Sequence, residues 1–123
     1  MYKPKQLGIA GEDFAYQYLK KQGLKLIKKN FACKSGEIDL IMEDKDELVF
    51  VEVRLRNNKN YVTAEESITI YKQRRIINTA HYYLQIQKFN PLPPCRFDVI
   101  ALSRHNDDYD LQWLKNAFYA EEF

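Results

Sequence analysis

Chemistry is most concentrated in residues 36–56, which read GEIDLIMEDKDELVFVEVRLR. Val49 to Val53 (VFVEV) is β-branched and aromatic, the composition of a strand. Glu52 sits inside it, and a carboxylate among apolar neighbours is costly unless something compensates it. Strand side chains alternate in direction, so Glu52 and Arg54 share a face with Phe50. In the preceding segment, Glu37 and Asp39 fall on the opposite face from Ile38, Leu40 and Met42. A hairpin of these two strands brings Asp39 towards Glu52 and Arg54. Two hard oxygen donors beside a cation suit a divalent ion such as Mg²⁺.

Other segments must hold that hairpin in place. Residues 5–22 carry Leu7, Ala10, Phe14, Ala15, Tyr18 and Leu19 at helical spacing. Lys20 and Lys21 favour the negative helix end, and Gly23 reads as the residue just past it. Glu12 lies at the edge of this apolar stripe beside Gly8 and Gly11, small residues that admit a close neighbour. From position alone Glu12 reads first as an ordinary solvated charge.

Residues 24–33 form a first strand, with an edge or bend at Lys28, Lys29 and Asn30. Lys34, Ser35 and Gly36 form the turn into a second strand, Glu43 to Asp46 form the next turn, and a third strand spans 47–55. The Asn-rich stretch after Arg56 reads as an exposed loop. Thr63 or Thr69 caps a second helix that runs to about Gln87. Its expected apolar face is Ile68, Tyr71, Arg75, Ile76, Thr79, Tyr82, Tyr83 and Ile86. Lys72, Arg74 and Arg75 cluster near its start, against the helix dipole, which points to phosphate binding or a solvated basic surface. A stiff NPLPP connection leads to a strand at 95–102, interrupted by Asp98 much as Glu52 interrupts the third. A turn at 103–110 and a last strand at 111–118 complete the order αβββαββ.

At 123 residues the chain is expected to be one domain, 1–123. No apolar run approaches the roughly 20 residues of a membrane helix, and the polar N-terminus does not read as a signal peptide, so no membrane partner is expected. Cys33 and Cys95 lack metal-ligand spacing, and a cytoplasmic location is the default. Charge is laid out in blocks. Residues 1–35 hold eight Lys against two acids, 36–52 seven acids against one Lys, and 53–96 eight Lys and Arg against two Glu. An acidic centre between basic segments fits a metal-dependent enzyme acting on a polyanion, or charges that decorate solvated faces. His81 and His105 stand alone and read as incidental. The nine Tyr and seven Phe read first as core and interface, with Tyr61, Tyr71 and Tyr82 the candidates for nucleic-acid contact.

The pieces GEDFAYQYL (11–19), GEIDLI (36–41), FVEVRLR (50–56), Lys72 to Ala80, RFDVI (96–100) and NAF (116–118) occur in an order that resembles a restriction-endonuclease-like nuclease domain. More closely, the chain resembles the YraN-like family of small bacterial proteins, which are similar to archaeal Holliday junction resolvases. The resemblance implies an α/β fold with a mixed central sheet flanked by helices. It implies Asp39, Glu52 and the Val53 carbonyl as ligands of Mg²⁺ or Mn²⁺, with Glu12 acting through a metal-bound water. It implies phosphodiester hydrolysis in DNA, including branched recombination intermediates, and a two-fold homodimer to cut two strands.

Position 54 departs from that pattern. It is Arg where the superfamily has a Lys that positions the attacking water, and a guanidinium does not act as a base. Lys72 is the candidate to take over that role, Arg54 stabilises phosphate charge, and Arg56, Lys72, Arg74 and Arg75 are the candidate nucleic-acid contacts. The alternatives are a nucleic-acid-binding module that keeps the fold without turnover, and an interaction protein whose acids are merely solvated.

Overall fold

The computed structural model describes residues 4–56, 68–106 and 108–120. Two helices, α1 (Pro4–Lys21) and α2 (Ile70–Gln87), flank five strands: β1 (Lys25–Cys33), β2 (Gly36–Asp44), β3 (Glu47–Arg56), β4 (Cys95–His105) and β5 (Asp108–Phe118). The element order is the expected αβββαββ. The strands form one mixed sheet in the order β1-β2-β3-β4-β5. Only β3 and β4 pair in parallel, across the α2 crossover; the other three pairs are antiparallel.

Each sheet face carries its own core. On one face Ala15 and Leu19 of α1 pack on Leu40, Met42, Val49, Val51, Ile100 and Leu102. Gly11 is buried there, and a Cβ on it would stand 3.3 Å from Leu102 Cδ1, so the missing side chain lets α1 settle close to the sheet. The helix ends as its sequence predicts: Gly23 has φ 100° and donates to the Lys20 carbonyl at 3.0 Å, while Leu24 N–H reaches Leu19 O at 3.1 Å. Tyr61 and Thr63, named above, lie outside the described residues, as does the loop expected after Arg56, while Leu7 and Gly8 fall within α1.

On the other face Ile76, Ala80, Tyr83 and Leu84 of α2 cover Phe31, Ile38, Ile41, Phe50, Phe97, Val99 and Phe118. Ring pairs Phe50–Phe97 (centroids 5.5 Å apart) and Phe97–Phe118 (4.9 Å) stack along the sheet beneath it. Thr69 caps the helix by accepting the Lys72 N–H at 3.1 Å. Of the expected face, Ile68, Ile76, Thr79 and Tyr83 are buried; Tyr71, Arg75, Tyr82 and Ile86 are exposed instead, and Ala80 and Leu84 take their place. Positions 76, 80, 83 and 84 share one narrow stripe of a 3.6-residue period, and the expected set mixed it with its neighbour.

Two further expectations are corrected. Residues 103–110 are not one long turn: Ser103↔Asp110, Arg104↔Tyr109 and His105↔Asp108 are paired, and Asn106, left-handed at φ 55°, turns the chain. Their polarity reflects an exposed hairpin end rather than the absence of a strand. Ile38 also lies on the α2 side while Leu40 and Met42 lie on the α1 side, so strict alternation fails across Asp39.

Candidate active site

That failure of alternation builds the site. The β2–β3 ladder runs from Asp44↔Glu47 to Leu40↔Val51 and then stops. One residue further, the Asp39 carboxylate takes the place of a strand partner: its Oδ2 accepts the Val53 N–H at 2.7 Å. Strands diverge at this point, and the gap is lined by carboxylates. Glu52, only 7% exposed, enters from β3. Glu12 enters from α1. Both are pushed upward in pKa, first by burial and then by hydrogen bonding to, and the charge of, the same Asp39. Glu12 is raised to about 7, with Glu37 adding repulsion and Lys29 opposing it. Glu52 is raised to about 9, with Lys72 and Arg54 opposing the shift.

Asp39 therefore stands between two clefts. One, of about 400 Å³, is lined by Gly36, Glu37, Asp39, Glu52, Lys72 and Arg75, among others. The other, of about 440 Å³, includes Glu12, Asp13, Lys29 and Asn30. Lys72 Nζ lies 3.6 Å from Glu52 Oε2, so the second helix does deliver an ammonium to the acidic centre. Arg75 Nε donates to the Ser35 carbonyl at 2.9 Å and ties α2 to the β1–β2 turn. Arg54 acts on Glu52 from the same strand face. Arg74 is exposed on α2, and Arg56 ends β3 opposite Ser103; neither is among the residues lining these two clefts.

Asn30 belongs to the site although its sequence position suggests only a bend. With its amide nitrogen turned to the acids, it donates to Glu12 Oε1 at 3.0 Å and to Glu37 Oε1 at 3.1 Å. Its φ of 52° was foreshadowed only by the bend read at Lys28–Asn30, where Asn tolerates a left-handed backbone.

The donor set fits a hard divalent cation. Asp39 and Glu52 supply oxygens that repel each other unless protonated or neutralised. In an extended strand the N–H and C=O of one residue face the same neighbour, so the Val53 carbonyl faces the gap that holds Asp39. Among the described residues no three His, Cys, Asp or Glu side chains form a ready-made cage. Two carboxylates and a carbonyl are the partial set that Mg²⁺ completes with water.

The raised carboxyls make stability depend on pH with a definite sign. Both groups hold protons more tightly folded than unfolded. Their contribution is complete below the ordinary value of 4.5 and is lost as pH rises through about 7 for Glu12 and about 9 for Glu52. The urea midpoint of the metal-free protein is expected to be lower at about pH 9 than at about pH 5, and Glu52→Gln to shrink the difference. An equal or larger difference in Glu52→Gln would show that Glu52 is not a source of it.

The model of the Uncharacterised protein family UPF0102 matches residues 11–102. The chain belongs to the UPF0102 family. This bears out the YraN-like resemblance. A UPF0102 protein of Herminiimonas arsenicoxydans is 54% identical over 111 residues, covering 90% of this chain and 85% of the relative. One from a Janthinobacterium strain is 54% identical over 117 residues (94% and 90%), and one from Pseudomonas putida 47% over 116 residues (94% of each). The UPF0102 match contains Glu12, Asp39, Glu52, Arg54 and Lys72, and it ends before β5. Among the described residues no helix is long and apolar enough to cross a membrane.

Proposed function

We propose that this protein is a divalent-metal-dependent DNA endonuclease of the restriction-endonuclease-like type, similar to the resolvases that cut branched intermediates. The observation that carries this reading is the insertion of Asp39 into the broken β2–β3 ladder, between Glu12 and Glu52 and with the Lys72 ammonium at 3.6 Å from Glu52. Carboxylates drawn towards Asp39 at the end of a strand pair repel one another, and a bound cation would offset that repulsion.

Bound Mg²⁺ or Mn²⁺ would polarise the phosphate and lower the pKa of a water. Asp39 and Glu52 would hold the metal, with the Val53 carbonyl as a further donor. Glu12, with a pKa raised to about 7, exchanges a proton at neutral pH and is suited to receive one from the water. Asn30 fixes its carboxylate. Lys72, 3.6 Å from Glu52, is the candidate to take over the role of the missing strand lysine. Arg54 remains charged and stabilises phosphate oxygens without acting as a base.

The test is cleavage of linear, flapped, single-stranded and four-way-junction DNA with Mn²⁺, by wild type and Arg54→Lys. Cutting by either protein supports the reading. Binding without cutting by both would favour the module without turnover, which the Arg at position 54 keeps in play.

Lys72 also separates a phosphate contact from surface decoration. Lys72→Ala is expected to flatten the dependence of log K on log salt for DNA binding by about 0.7–0.9, the share of one phosphate contact. Arg74→Ala, outside the cleft, is expected to change it less. Equal slopes for wild type and Lys72→Ala would remove Lys72 from the phosphate path.

A further inference from the structure

Among the described residues lining the acidic cleft, Tyr71 is the large aromatic side chain left open. It is 71% exposed, although it occupies the first turn of α2 and lines the same cleft as Asp39, Glu52 and Lys72. Its neighbour Ile70 is 62% exposed. The guanidinium of Arg75 lies over the Tyr71 ring, 5.9 Å from its centroid. Arg75 is itself anchored through Nε to the Ser35 carbonyl. The ring is thus held at the rim, one face towards a cation, and largely open.

An exposed aromatic ring beside an arginine is a platform for a planar π-system. In a continuous duplex each base is already stacked on both sides, and uncovering one costs unstacking and unpairing energy. A platform next to a phosphate-cutting centre therefore selects for a base that is already free.

Resting on the nuclease reading above, we propose that the substrate carries an unpaired nucleotide beside the scissile phosphate, and that this base stacks on Tyr71 while Arg75 and Lys72 face its flanking phosphates. The substrate class is single-stranded DNA or the single-stranded portion of a branch, not continuous duplex. Tyr71 is a specificity residue in this account.

The experiment measures binding in Ca²⁺, by fluorescence anisotropy, of labelled oligothymidylate and of a blunt duplex of equal length. Wild type is expected to hold the single strand more tightly. Tyr71→Ala is expected to weaken that binding by about tenfold, the scale of one base–aromatic stack. Tyr71→Phe is expected to restore it, and both variants to bind duplex as wild type does. Unchanged single-strand affinity in Tyr71→Ala, or equal losses on both DNAs, would overturn the stacking role and leave the nuclease reading standing. Failure of wild type to bind either DNA would overturn both. Tyr71 is exposed, so an unaltered urea midpoint in each variant confirms that the fold is not the cause.

Discussion

Asp39→Asn is expected to abolish metal-dependent DNA cleavage while leaving the fold in place. The asparagine oxygen can still accept the Val53 N–H, which Asp39 Oδ2 holds at 2.7 Å, so the splayed end of the β2–β3 pair survives. What disappears is the negative charge. Loss of a group that merely orients a metal ligand costs about 10–100-fold in affinity or activity, and loss of the ligand itself is expected to exceed that. A second readout needs no catalysis. Asp39 raises both Glu12 and Glu52 by hydrogen bonding and by charge, after burial, which is the larger cause for each. Carboxyl titration by NMR should find both groups lowered in Asp39→Asn yet still above 4.5. Glu12 and Glu52 titrating as in wild type would mean that the three side chains do not share one site.

The largest stability effect is expected on the opposite sheet face, at a network the sequence reading did not foresee. Asp98 is fully buried. It accepts from Arg96 Nε at 3.1 and 3.2 Å, from Trp113 Nε1 at 3.0 Å and from the Asn116 N–H at 3.0 Å. Arg96 uses its remaining nitrogens on Asp44 at 2.8 Å and Glu47 at 3.0 Å. The network locks the β2–β3 turn to β4 and β5. Asp98→Ala strips one guanidinium contact and orphans two further donors, so a loss of about 3–5 kcal/mol is expected. That is a large share of the roughly 5–15 kcal/mol that holds a domain together. Glu47→Ala removes a partner that is 42% exposed and is expected to cost about 1 kcal/mol or less. Urea denaturation with a constant m-value checks both. A loss below about 1 kcal/mol in Asp98→Ala would contradict the assigned role of the network.

The contrast between these two faces explains what the sequence disclosed. Glu52 and Asp98 look alike in the chain, each a lone acid in an apolar strand. The register Val51↔Asp98 and Glu52↔Val99 puts them on opposite faces, and only the parallel pairing of β3 with β4 decides that. Asp39 and Glu52 were legible as a pair because hairpin geometry is local. Glu12 was not legible from position alone, because it lies far from Asp39 in the chain and only the folded sheet brings α1 beside it. Arg96 carries no distinguishing signal in the chain, since its three acidic partners come together only from β2, β3 and β4. Tyr71 was legible as a candidate but not as exposed, since its spacing also fits a core stripe.

Whether the carboxylate cluster holds a metal is decided by calorimetric titration of Mn²⁺ into the metal-free protein, with wild type beside Glu52→Gln. Wild type is expected to bind the ion and to release protons near neutral pH, because Glu12 and Glu52 are raised to about 7 and about 9 and must give up protons to an incoming cation. Glu52→Gln, with its fold confirmed by denaturation, is expected to lose most of that binding. An isotherm unchanged in Glu52→Gln, or no binding by wild type, would contradict the assignment of this carboxylate cluster as a metal site.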